Sequence, residues 1–313
     1  MMACPAKRPP VGDPLPRVPR STTTTNHSCL PRPPLPVASI RYRKRTTSSS
    51  SSSSKSPFDC ILFDLDDTLY SSDVGIARFV RQNIEEFLGK TCGVAAEAAS
   101  ALRSELFRSY GSSLAGLRAL GYDVHPDDYH SYVHGRLPYE AIRPDPLLRD
   151  LLQSIPQTKI IFTNSDREHA RKALQRLGLD VGGCFDGLIC FETLNPDASA
   201  TTVVLKPSPS AFEAAVRIAG VDPQSTLFLD DSERNVAAGK ALGLRTALVG
   251  KRAGEADYLV GSIGDLRRAI PEIWRGREGK DAGAGAGQDQ RKPRAGDLDS
   301  ILASSATTAP VEA

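Results

Sequence analysis

The stretch Phe58–Ser72, FDCILFDLDDTLYSS, runs from apolar residues straight into three aspartates, Asp64, Asp66 and Asp67. The apolar part is short and lacks alternation, the pattern of a strand covered on both faces. Side chains alternate along an extended chain, so Asp64 and Asp66 point to one side and Asp67 to another. Ionised carboxylates this close repel one another, and burying them without a partner is costly. A strand that ends this way calls for a cation.

The rest of the chain supplies the setting. Further short apolar runs are KIIFTN (159–164), GLICFE (187–192), TLFLDD (226–231), RTALVG (245–250) and ADYLV (256–260). Helical patterns fall between them at about 166–178, 209–220, 232–243 and 262–270, and Gly178, Gly220 and Gly243 stand where C-cap glycines belong. The alternation predicts an α/β fold, a doubly wound parallel sheet whose site lies beyond the carboxyl ends of its strands. One region breaks it: over 73–142 Ile76, Phe79, Val80, Ile84, Phe87 and Leu88 recur at helical spacing, followed by further leucines. This reads as a helical module inserted directly after the first strand, with core segments 58–72 and 143–275 on either side. Leu137 to Pro146, with three prolines, leads the chain back to the sheet.

The acidic pair Asp230-Asp231 ends TLFL as Asp64 and Asp66 end CILF, and parallel strands bring both to one edge. Four carboxylates there suit a hard cation such as Mg²⁺, which takes one or two carboxylates together with waters and a phosphate. An EF-hand does not fit, because counting from Asp64 puts Leu69 and Gly75 where a glycine and a bidentate glutamate are required. No GxxxxGK[ST] occurs, and the GAGAG at 283–287 follows no strand, so neither is a nucleotide loop. Thr163-Asn164 ends KIIFTN with a hydroxyl, an amide and N–H groups suited to a phosphate. Lys206 stands just before Pro207 and a helix start, where the dipole disfavours a cation slightly but carboxylates and phosphate would welcome it. His130 and His134, at i, i+4, read as surface or pocket-lining residues, since no third ligand accompanies them. Six scattered cysteines without CxxC spacing read as reduced thiols of an intracellular protein.

Charge divides the 313 residues. Residues 1–57 carry ten Lys or Arg against the single acid Asp13, leaving 29 basic and 36 acidic residues for the remainder. The part that folds is therefore acidic, which argues against nucleic-acid binding. Residues 1–57 and 276–313 hold too little apolar content for a core and are expected to be disordered. The first is acid-poor, Arg-rich and Ser-rich, as an organelle transit peptide is and as a plain tail can be, so cytoplasmic and plastid or mitochondrial locations both stand. No secretory or long apolar run is present, and neither secretion nor membrane insertion is expected.

DLDDT at 64–68 resembles the DxDxT motif of haloacid dehalogenase-like hydrolases, with Thr163, Lys206 and Asp230-Asp231 in the order of that superfamily's later motifs. FDLDDTLY, YGSSLAGLRALGY, YHSYVHGRLPYE, FTNSDREHA, ICFETLN, LKPS and FLDDSERN are similar to its pyrimidine 5′-nucleotidase-like branch. Ser165 departs from the small alanine expected there. The resemblance implies a Rossmannoid core with a helical cap, and hydrolysis of a small phosphate monoester, foremost a pyrimidine nucleoside 5′-monophosphate. It also implies Asp64 as nucleophile, Asp66 as acid and base, and Thr163, Asn164 and Lys206 on the phosphate. Mg²⁺ is expected on Asp64, the Asp66 carbonyl, Asp230 and Asp231, with Lys206 also keeping Asp64 ionised. Tyr70, His130 and His134 are expected near the leaving group. A phosphomutase would keep the same motifs, a dehalogenase would have no use for Asp66, and a non-catalytic regulator would be expected to lack a motif residue.

Overall fold

The computed structural model describes residues 55–251 and 253–276; nearly all of the two terminal segments lies outside them. Six strands, β1 (Cys60–Phe63), β2 (Thr158–Phe162), β3 (Gly187–Ile189), β4 (Thr226–Asp230), β5 (Arg245–Val249) and β6 (Tyr258–Val260), form one sheet in the order β3-β2-β1-β4-β5-β6. Every pairing is parallel. Both faces are covered, which is why the strands read as unbroken apolar runs. Ile61, Phe63, Ile161, Leu227 and Leu229 pack into one layer, and Cys60, Leu62, Ile160, Phe162 and Phe228 into the other.

The first layer is closed by α5 (Pro146–Ser154), α6 (Arg167–Leu177) and α10 (Leu266–Ala269), the second by α8 (Pro209–Ala219) with Leu244 at the end of α9 (Glu233–Ala241). Helix α5 is absent from the sequence reading, where the prolines suggest only a return path. Pro146 instead occupies the first turn, where no N–H is required, and the Asp145 side chain accepts the Leu148 N–H at 2.9 Å. GLICFE likewise leaves the sheet after Ile189: Cys190 caps the short helix α7 (Phe191–Leu194).

Between β1 and α5 lie α1 (Ile76–Cys92), α2 (Ala96–Tyr110), α3 (Ser113–Ala119) and α4 (Pro126–His134). Their apolar faces make a third cluster, with Phe87, Leu88, Leu106, Leu117 and Val133 at its centre. Phe191, at the start of α7, and Leu205, from the loop before α8, join it, so this helical segment is seated on the carboxyl edge of the sheet. Among the described residues no helix is long and apolar enough to cross a membrane.

Strand order decides where a site can form. β1 is paired with β2 on one side and β4 on the other, with Phe63 level with Ile161 and Leu229. The chain leaves β1, β2 and β4 at one edge, where connections diverge and a crevice opens.

Candidate active site

The residues just past Phe63, Phe162 and Leu229 meet in that crevice. The Asp64 N–H bonds to the Leu229 carbonyl at 2.9 Å, carrying the ladder one residue past β1 and setting the Asp64 side chain beside Asp230. The chain then turns: Asp67 adopts a left-handed φ of 58°, which a short polar side chain tolerates, and the Leu69 N–H reaches back to the Leu65 carbonyl. The Thr68 hydroxyl donates to Asp64 Oδ2 at 3.1 Å.

Lys206 ties the cluster together. Its side chain is 1% exposed, and Nζ lies 2.7 Å from Asp64 Oδ1, 2.7 Å from Asp230 Oδ2 and 2.8 Å from the Phe162 carbonyl. The two carboxylates hold the ammonium charged against burial and raise its pKa. Asn164 secures the backbone of this lysine, donating to its carbonyl and accepting from its N–H, both at 2.8 Å. Asp230 is further fixed by the Ser232 N–H and the Asn235 amide. The buried Thr163 hydroxyl accepts the Ser165 N–H at 3.1 Å.

One ammonium does not balance this much acid. Burial drives the Asp64 pKa well above the usual carboxylate range; Lys206 opposes the rise, while Asp230 and Asp66 add to it. Lys206 is the group that favours the ionised form of Asp64, as expected, and it acts there against burial and two like charges. Asp231 is pushed up to about 6 by burial, then by Asp230 and Asp67. Ligand oxygens of Asp64, Asp230 and Asp231 lie within 4.8 Å of one another. An all-oxygen, charge-rich donor set of this kind fits a hard divalent cation such as Mg²⁺.

Asp66 faces differently. Its Oδ1 accepts from His169 Nε2 at 2.7 Å and from the Tyr70 hydroxyl, and its Oδ2 from the Ser165 hydroxyl at 2.7 Å. Burial would raise its pKa, but the charge and hydrogen bond of His169, with Tyr70 and Ser165, carry it far below the ordinary value. Burial in turn lowers the His169 pKa, and Asp66 more than restores it, so the ring is held toward its charged form.

A histidine wall continues from there. His134 Nδ1 is bonded to Asp166, whose other oxygen caps α6 by accepting the His169 N–H at 3.0 Å. The rings of His134 and His169 lie 4.6 Å apart, and those of His130 and His134 stack at 5.7 Å. Burial, with His134 beside it, lowers the His130 pKa to about 4. Tyr70, His130 and His134 all line a cavity of about 410 Å³ beside Asp66, between the sheet edge and the helical segment. Val80, Ile84, Leu114, Tyr129, Phe191 and Leu205 give it apolar walls. Asp64, Asp66, Thr163, Asn164, Lys206 and Asp231 line the adjoining crevice.

The candidate residues therefore fall into two adjoining groups. His169 was not singled out from the sequence, although FTNSDREHA contains it. The available signal is the Asp166 cap at a strand end, which sets residue 169 in the first turn of a helix facing the crevice. Nothing local indicates that Tyr139 backs it.

The profile of the haloacid dehalogenase-like hydrolases matches residues 58–243. Over 194 residues the chain is 28% identical to Phosphate metabolism protein 8 of Saccharomyces cerevisiae, covering 58% of this chain and 58% of that protein. It thus spans little more than half the length of that curated relative. Phosphoglycolate phosphatase of Aquifex aeolicus is 26% identical over 202 residues, which is 60% of this chain and 83% of that protein. Among solved structures, CbbY from Rhodobacter sphaeroides in complex with phosphate aligns with a TM-score of 0.47 and 20% identity, over 67% of this chain and 96% of its own.

Proposed function

The chain belongs to the haloacid dehalogenase-like hydrolases, and on that premise we propose that it is a Mg²⁺-dependent phosphatase of a small phosphate monoester. The observation that carries the reading is the pair of carboxylates two residues apart with opposite surroundings. Asp64 is packed against Lys206 and Asp230, while Asp66 is held by hydrogen-bond donors beside the 410 Å³ cavity.

In this reading a carboxylate oxygen of Asp64 attacks phosphorus and the bond from phosphorus to the ester oxygen breaks. Asp66, whose pKa the negative charge of the bound phosphoryl group would raise from its low resting value, gives that oxygen its proton. Water then attacks phosphorus of the aspartyl-phosphate, Asp66 takes the proton back, and phosphate leaves with Asp64 restored. Lys206, the Thr163 hydroxyl and the Asn164 N–H offset charge on the phosphoryl oxygens. The Asn164 side chain is already engaged at both ends with Lys206, so its part there is to fix the lysine. Asp64, the Asp66 carbonyl, Asp230 and Asp231 would hold Mg²⁺, which when bound supplies the positive charge that Lys206 alone does not. The helical segment acts as a cap that keeps bulk water from the reaction.

The leaving group belongs in the cavity, and its aromatic and aliphatic walls suit a flat base. With the motif resemblance, this favours pyrimidine nucleoside 5′-monophosphates. A second reading rests on Arg81, which also lines the cavity beside Arg103, itself paired with Glu85 at 2.9 Å: a guanidinium suits an anionic leaving group, such as the carboxylate of a phosphorylated acid.

Three measurements test this. Asp64→Asn should abolish phosphate release and leave the melting temperature near that of the wild type, and EDTA should silence the wild type until Mg²⁺ is added. Turnover that survives either treatment removes the nucleophile or the metal assignment. Across a substrate panel, UMP and CMP should show higher kcat/KM than AMP and GMP. A preference for phosphorylated acids would select the second reading.

A further inference from the structure

On the reading above, Asp66 must deliver a proton to the leaving oxygen and later collect one from water, so the direction of its carboxyl group decides whether either transfer occurs. Its side chain is 33% exposed and sits on a turn, which constrains it little. Three donors reach it. Two are hydroxyls, Tyr70 from the same turn and Ser165 from the loop after β2, and a hydroxyl proton can rotate to another acceptor.

His169 is different. Its ring is 1% exposed and is fixed from several directions. Nδ1 lies 2.8 Å from the Tyr139 hydroxyl, its backbone N–H is bonded to the helix cap Asp166, and one face of the ring lies against His134. Tyr139 is anchored in turn by its hydroxyl, 3.2 Å from the His134 carbonyl. Nε2 is left with one direction in which to donate, toward Asp66 Oδ1.

We propose that His169 is the positioning residue for the proton transfers at Asp66: by clamping Oδ1 it presents Oδ2 to the leaving group, with Tyr139 as its backstop. Oδ2 is the oxygen to present because its partner is the Ser165 hydroxyl, which can rotate and be replaced by the substrate's ester oxygen. The clamp also links the two parts of the molecule. His134 and Tyr139 come from the helical segment and its return to the sheet, so seating that segment aligns the acid.

This inference rests on the phosphatase reading, and the experiment separates the two. Full-length wild type and variants are assayed with Mg²⁺ on a phosphomonoester series from p-nitrophenyl through phenyl to simple alkyl phosphates. An acidic leaving group departs without help, whereas an alkoxide needs its proton, a contribution of about 10²–10⁴-fold for general acid catalysis. His169→Leu should lose about 10²-fold more kcat/KM on the alkyl ester than on the p-nitrophenyl ester. His169→Gln, which keeps a donor near the Nε2 position, should recover most of that difference. Tyr139→Phe should steepen the leaving-group dependence in the same direction by less. Asp66→Asn should steepen it as well, and adding His169→Leu to that variant should steepen it no further.

An equal loss on every ester, or glutamine behaving as leucine does, would overturn the positioning role while leaving the phosphatase reading intact. If His169→Leu does not fold, the slopes of His169→Gln and Tyr139→Phe decide, and a slope unchanged from wild type in Tyr139→Phe overturns the proposal. A wild type inactive on the whole series and on the nucleotide panel defeats both.

Discussion

The cluster around Asp64 and the wall around Asp66 lie side by side, yet they are built from different parts of the chain. Asp64, Asp230 and Lys206 sit at or near strand ends and are joined by charge: one buried ammonium lies 2.7 Å from each of two carboxylates. Asp66 is held by Tyr70, Ser165 and His169, and His169 in turn by Tyr139, Asp166 and His134. In the first, sheet register sets Asp64 beside Asp230, and Lys206 enters from the loop before α8. The second depends on how the helical segment is seated. Each should therefore fail in its own way.

The largest effect is expected where charge is buried. Lys206→Met leaves Asp64 and Asp230 facing each other without their cation, and removing one partner of a buried pair costs about 3–5 kcal/mol. Urea unfolding should show that loss, and Asp64→Asn added to Lys206→Met should return part of it. Equal stability of Lys206→Met and wild type would mean that the strand-end cluster is not held by this ion pair.

The histidine wall should break with acid instead. Burial holds the folded-state pKa of His130 at about 4, while the unfolded chain titrates at the ordinary value of 6.5. Between those values the unfolded chain takes up a proton that the folded one resists. The stabilisation is thus present above pH 6.5 and lost as pH falls toward 4. Asp166 favours the charged ring, and His134 and His169 oppose it. From pH 7 to pH 5 this group should cost about 2 kcal/mol. His130→Phe, which keeps an aromatic ring against Phe191, should make the protein correspondingly less sensitive over that range. An identical pH dependence in urea unfolding would place the acid sensitivity elsewhere.

The smallest effect sharpens the comparison from outside it. All the residues of both groups lie between Asp64 and Asp231, and none of the motifs falls in the basic N-terminal segment. Deleting residues 1–54 should leave kcat/KM and the melting temperature unchanged within error. A marked loss of activity would mean that the segment contributes to the site. Imaging the full-length and truncated proteins, each tagged at its C-terminus, tests the targeting reading separately.

Much of this was legible before any coordinates. A single apolar run ending in DLDD predicts β1 and its carboxylates, because a strand buried on both faces has no other way to read. Four more runs locate β2 to β5 to within a few residues, and the loss of alternation after Ser72 announces the helical segment. Helix α5 escaped because prolines both end helices and begin them, and only the Asp145 cap shows which applies. Strand ends could be named without knowing strand order, since parallel strands present one edge. Asp64, Thr163 and Asp230 were candidates for that reason, and Lys206 for its place before a helix start.

Tertiary structure decided what each of them touches. That Asn164 is committed to the Lys206 backbone, that Lys206 is bonded to Asp64, and that His169 clamps Asp66 all depend on contacts across 42, 142 and 103 residues of sequence. Periodicity reports which face of an element is apolar, and the sequence alone determined that much: a parallel sheet, a helical insert and acid at the strand ends. It does not report which polar side chain meets which, because hydrogen bonds and desolvation depend on atomic positions that only the packing of loops and helices at the sheet edge defines.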